Sequence, residues 1–129
     1  MKEPQNEAET ALLLQAMISS KHPGIDFTIG EYSAYQGVDL IVEHNDKEMP
    51  GLKWVELVEK LEKLYQWPHP PEGYHTIVCY QLGAVKEVQN FPDGEEARLV
   101  PKKQAGRYTL LVGGENIDIY VLREILQGG

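Results

Sequence analysis

Apolar residues fall at helical spacing near the start of the chain and at strand spacing through most of the remainder. From Asn6 to Ser20 a broad apolar face of Ala11, Leu12, Leu14, Ala16, Met17 and Ile18 predicts an amphipathic helix. Asn6 is placed to cap it, Glu7 and Glu9 suit the positive end of the helix dipole, and His22-Pro23-Gly24 ends it. Asp26 to Glu31 then alternates as a strand with Phe27 and Ile29 on one face, and Ser33 to Gly37 reads as a turn. Val38 to Glu43 is a second strand. After the polar connection His44 to Gly51, Leu52 to Leu57 is a third, completing an antiparallel meander.

Val58 to Tyr65 fits two descriptions. Leu57, Leu61, Leu64 and Tyr65 suit a helix supported by a Glu59–Lys63 pair four residues apart, so the third strand is expected to pass into a short helix near Glu59. Trp67-Pro68-His69-Pro70-Pro71 is excluded from regular structure by its prolines, and Tyr74 to Leu82 is a mostly buried fourth strand. In the last third, short strands are expected at Val85 to Val88, Glu96 to Val100 and Tyr108 to Val112. Gly113-Gly114 is a turn, and Ile117 to Leu126 mixes both periods, as a strand running into a terminal helical turn would. There is no internal repeat and no internal linker. The order of elements makes this an α/β domain spanning 1–129, with a core at 4–82 and a β-rich C-terminal addition at 83–129.

Composition narrows the setting. A chain of 129 residues with 42% hydrophobic content suits one compact domain. Its one cysteine, Cys79, lies within an apolar run, which points to a small core residue and a reducing, cytoplasmic location. No apolar stretch approaches the roughly 20 residues that cross a bilayer, and the polar opening Met1 to Glu7 does not resemble a signal peptide, so no membrane partner is expected. A formal charge of -8 argues against a large nucleic-acid surface, because non-specific affinity comes from Lys and Arg neutralising phosphates. It leaves room for a nuclease, whose metal site is itself acidic.

Two acids carry the chemical interest. Asp39 sits inside Gly37-Val38-Asp39-Leu40-Ile41-Val42, and Glu56 is flanked by Val55, Leu57 and Val58. An acid among apolar neighbours is costly unless it is hydrogen-bonded, paired or bound to a cation. On adjacent strands the two would suit one Mg²⁺, which takes carboxylates, several waters and often a substrate phosphate. Such an ion activates water and stabilises charge developing on a phosphodiester. For each acid a salt bridge or turn cap is the structural alternative.

With these residues in view, the chain resembles the PD-(D/E)XK, or restriction-endonuclease-like, superfamily. The resemblance is closest to the nuclease-like domains attached to gyrase/histidine-kinase-type ATPases. It rests on Pro4-Gln5-Asn6-Glu7-Ala8-Glu9-Thr10, Trp54-Val55-Glu56-Leu57-Val58, Trp67-Pro68-His69-Pro70-Pro71 and Ile77-Val78-Cys79-Tyr80, in that order, across most of residues 4 to 82. It implies a metal shell of Asp39 and Glu56 completed by Glu7, with Glu9 as second choice. Active members usually carry a lysine two residues beyond the second acid, and here that residue is Val58. The resemblance therefore implies a degenerate domain serving as an interaction or dimerisation module, with a homodimer or other protein as partner. It would be part of a larger ATPase. The alternative is a Mg²⁺-dependent DNA endonuclease using Asp39, Glu56 and Lys60, since Lys60 shares the face of Glu56 if the third strand reaches that far. Mg²⁺ is expected only if the ancestral site still binds metal.

The other candidates have simpler explanations. Glu43 is the solvated end of its strand, His69 packs a loop, and Trp54, Trp67 and Tyr80 are core or interface residues. His75 and Cys79 are too far apart along a strand to chelate zinc, and no second pair exists. Lys102 and Lys103, with Arg98 and Arg107, form the main basic concentration and read as a solvated hairpin tip rather than a phosphate contact. The terminal Gly128-Gly129 resembles that of ubiquitin-like carriers, but those folds open with a β-hairpin, whereas this chain opens with a helix.

Overall fold

The computed structural model describes residues 3–25, 27–35, 38–44, 51–67 and 76–128, with side chains described for 3–25, 55–67 and 76–128. Residues 1–2, Asp26, 36–37, 45–50, 68–75 with His69 and His75, and Gly129 lie outside the described residues. So do the side chains of Phe27, Ile29, Asp39, Glu43 and Trp54.

The N-terminal helix, α1 (Glu7–Ser19), begins as its sequence predicts: the Asn6 side chain accepts a hydrogen bond of 2.9 Å from the Glu9 amide. Its buried arc is Thr10, Ala11, Leu13, Leu14 and Met17, not the broader face expected. Only the arc spaced three and four residues apart meets the sheet, which leaves Leu12 65% exposed.

Three strands follow, β1 (Phe27–Tyr35), β2 (Val38–His44) and β3 (Gly51–Lys60), paired antiparallel as a meander. Two expectations are corrected. β1 continues through Ser33 to Tyr35 with shifts of register instead of turning at Ser33. β3 continues to Lys60, because pairing with the next strand holds its backbone extended as far as Lys60↔Gln81. The helix after it is therefore a 3₁₀ helix at Leu61–Gln66, burying Leu61, Leu64 and Tyr65, and the expected Glu59–Lys63 helical pair does not form. Glu59 belongs to β3.

Next come β4 (Thr76–Gln81), β5 (Val88–Asn90), β6 (Glu96–Pro101), β7 (Arg107–Val112), β8 (Glu115–Val121) and α2 (Leu122–Gly128). The strand expected at Val85 to Val88 is displaced: pairing with β6 starts only at Val88↔Arg98. The Gly113-Gly114 turn joins β7 to β8 with both φ angles positive, at 58° and 78°, a geometry glycine adopts freely. The last strand and terminal helix fall where the mixed periodicity places them.

The eight strands among the described residues form one mixed sheet in the order β1-β2-β3-β4-β8-β7-β6-β5. β3, β4 and β8 are parallel, and an antiparallel meander lies on either side. The residues 83–129 thus continue the same sheet, with β8 lying against β4. Strand alternation divides the interior in two. On one face Val55, Leu57, Val78, Tyr80, Tyr120 and Leu122 pack under α1 and α2. On the other, Val58, Ile77, Cys79, Ile119 and Val121 pack against the 3₁₀ helix, Phe91 and the inner residues of β6 and β7. Gly106, at φ 76°, lets the β6–β7 connection close onto α2. Its carbonyl accepts from the Val121 amide at 2.7 Å, and a Cβ there would lie 2.7 Å from the Ile125 backbone nitrogen.

Leu14 is fully buried under this arrangement whereas Leu12 is not. Leu14→Ala is expected to lower unfolding free energy by about 2–5 kcal/mol in denaturant titrations, against under about 0.5 kcal/mol for Leu12→Ala.

Candidate functional site

The two acids singled out in the sequence lie on neighbouring strands. The described β2–β3 ladder runs from His44↔Gly51 to Leu40↔Val55. Asp39 and Glu56 each lie one residue past Leu40↔Val55, where the described ladder ends. The Asp39 side chain is outside the described residues. Glu56 is 3% exposed. Its strand neighbours Val55 and Leu57 belong to the helix-covered core, so Glu56 stands on the opposite face, shared with Val58 and, through the β3–β4 register, with Ile77.

Val58 occupies the position two residues beyond Glu56. It is 3% exposed and belongs to the second core. Lys60 is half-buried at the end of β3, two residues farther on and on the same strand face as Glu56 and Val58. Glu7 and Glu9, both exposed or nearly so, start the helix that covers the other face. Glu9 is engaged locally, accepting from the Gln5 amide at 3.2 Å. Among the described residues no group of three or more His, Cys, Asp or Glu is placed to hold a metal ion.

Cys79 is fully buried, and burial first, with the nearby Glu124 and Glu59 adding, pushes its thiol well above the usual range. It is a core residue. The basic concentration is largely occupied: Lys102 Nζ lies 2.6 Å from Asp118 Oδ1 on β8, and the Arg107 guanidinium lies 3.7 Å from the centre of the Tyr120 ring. Lys102 is therefore not the freely solvated lysine expected at that tip. Trp67 packs against the second core and Tyr80 in the first, where its hydroxyl donates to Glu3 at 3.1 Å.

A second polar cluster escaped sequence reasoning. At the C-terminal ends of the parallel strands, Gln81 accepts from Arg123 at 3.3 Å and donates to Glu59 at 3.5 Å. Beside them the Tyr108 hydroxyl donates to Glu124 at 2.5 Å. These residues come from four separate elements, β3, β4, β7 and α2, and no local spacing connects them. The one signal was Glu59, an acid in an apolar run, which helical spacing had assigned to a solvent-facing pair.

No protein family, curated protein or solved structure matches this chain.

Two phenols report on these environments. Burial raises Tyr65 to about 12, and burial together with the bond to Glu124 raises Tyr108 to about 12, from the ordinary 10.0. The unfolded chain loses these protons near pH 10 and the folded chain near pH 12, so between those values the folded state holds more protons. The stability these two phenols contribute is therefore expected to be fully present below pH 10 and to be lost progressively toward pH 12. Absorbance titration of phenolate, with Tyr65→Phe and Tyr108→Phe, assigns the two late steps.

Proposed function

We propose that this chain is a restriction-endonuclease-like domain whose catalytic centre has degenerated, and that it acts as an interaction or dimerisation module. The observation carrying this reading is Val58. The position from which a lysine would steady the attacking water and the phosphate is built into the hydrophobic core, beside an acid that has been kept. The helix, meander, short helix and parallel fourth strand support the family reading. Attachment to a larger ATPase is an analogy with the family.

The sheet supplies a surface for such a role. The helices cover β3, β4 and β8 on one face, and among the described residues the same face of β5, β6 and β7 carries exposed apolar side chains. There Val88, Val100 and Leu111 are 41%, 37% and 39% exposed, with Val88 and Leu111 both paired to Arg98. Apolar side chains grouped in this way are a feature of association surfaces.

One observation favours the second reading, a Mg²⁺-dependent DNA endonuclease. β3 does reach Lys60, so a lysine stands on the face of Glu56, roughly 7 Å beyond the usual position. In that enzyme Asp39 and Glu56 would hold the ion, with waters completing its shell and Lys60 reaching back toward the phosphate. Glu7 begins the helix on the other face and is the weakest member of the expected set.

The test combines Mg²⁺ and Mn²⁺ calorimetry, plasmid nicking and sedimentation of wild type, Lys60→Ala and the Asp39→Ala, Glu56→Ala double variant. The proposal predicts the same background nicking for all three and a wild-type dimer that Leu111→Lys separates. Metal binding and nicking that vanish in the double variant and in Lys60→Ala would establish the endonuclease.

A further inference from the structure

A cleft of about 310 Å³ opens at the carboxyl ends of β4 and β8, lined by Gln81, Leu82, Gly83, Arg123, Glu124 and Gln127 among others. In sheets with parallel strands that end is where ligands are held, and the volume lies at the small end of ligand cavities. It stands apart from the two acids: Glu56 is four residues back along β3, about 13 Å from the strand's end.

Its polar groups are arranged before any ligand arrives. The Gln81 amide is held from both sides, by Arg123 at 3.3 Å and by Glu59 at 3.5 Å. Glu59 is 6% exposed and sits behind it at the end of β3. The Glu124 carboxylate is oriented by the Tyr108 hydroxyl. Arg123 and Glu124 are consecutive on α2, and neighbours in a helix do not face each other. Neither forms an ion pair among the described residues. Arg123 spends one of its donors on Gln81, and the Gln81 amide retains a proton and a lone pair.

The charge pattern selects the ligand. A simple anion attracted to Arg123 would meet Glu124, with Glu59 behind it and the Glu62 carboxylate against Gly83, and a simple cation attracted to these acids would meet Arg123. A neutral molecule would leave both charges unanswered. We propose that this cleft binds a small zwitterion of the α-amino-acid class, its carboxylate on Arg123 and Gln81 and its ammonium on Glu124. The site does not depend on the nuclease-like reading.

The test is a titration of the full chain, labelled with nitrogen-15, with L-glutamine and L-glutamate, and with acetate and methylammonium as single-charge controls. Saturable shifts of the Gln81 amide and Arg123 guanidinium signals are expected with the amino acids and not with either control. Arg123→Gln and Glu124→Gln should each weaken binding by roughly tenfold or more while leaving the rest of the spectrum unchanged. The exposed position of Arg123 makes that variant safe for folding. No saturable shift at millimolar amino acid, equal affinity in both variants, or acetate binding as tightly as the amino acids would overturn the proposal.

Discussion

The parallel pairing of β4 with β3 on one side and β8 on the other governs the molecule. Thr76 to Tyr80 are all buried, and Ile77 to Tyr80 contribute alternately to two cores. A strand with both faces covered has one workable register, because a slip of one residue would exchange its side chains between the cores. That register in turn fixes β3. Val55 and Leu57 go under the helices, and Glu56 and Val58 go to the opposite face. Which residues share a face with Glu56 is thus set by pairing with the adjacent strand.

The same pairing explains why an acid survives in such surroundings. Glu56 is at the end of the β2–β3 ladder, where its strand leaves one neighbour and continues with another. An acid at that junction is deeply placed, on the face it shares with Val58 and Ile77. Filling the next position on that face with Val58 joins it to the second core. A valine there packs into the core with Ile77, Cys79 and the 3₁₀ helix, where a lysine would need solvent or an anion.

Much of the fold was legible from local pattern. α1 declared itself through Asn6 and its apolar spacing, the meander through three alternating runs, and the β8–α2 junction through its mixed period. What local pattern missed depended on distant partners. Val58 to Lys60 reads as helix because Leu57, Leu61 and Leu64 are helically spaced, yet β4 keeps the segment extended. Leu12 reads as core until the sheet shows which arc of α1 it meets. The polar cleft was invisible for the same reason, since Gln81, Arg123 and Glu59 become neighbours only when β4 is laid between β3 and β8.

The relation of Asp39 to Glu56 carries most of the functional interpretation, and its most direct measurement is cross-linking. Asp39→Cys with Glu56→Cys, made in a Cys79→Ala background, is expected to form a disulfide on mild oxidation while keeping the native spectrum. Directly opposed strand positions fall within the roughly 4.4–6.8 Å between Cα atoms that a disulfide spans. Two thiols that stay reduced in the folded protein, or that pair only with another molecule, would show that the acids do not face one another and would remove the ancestral metal site from the account.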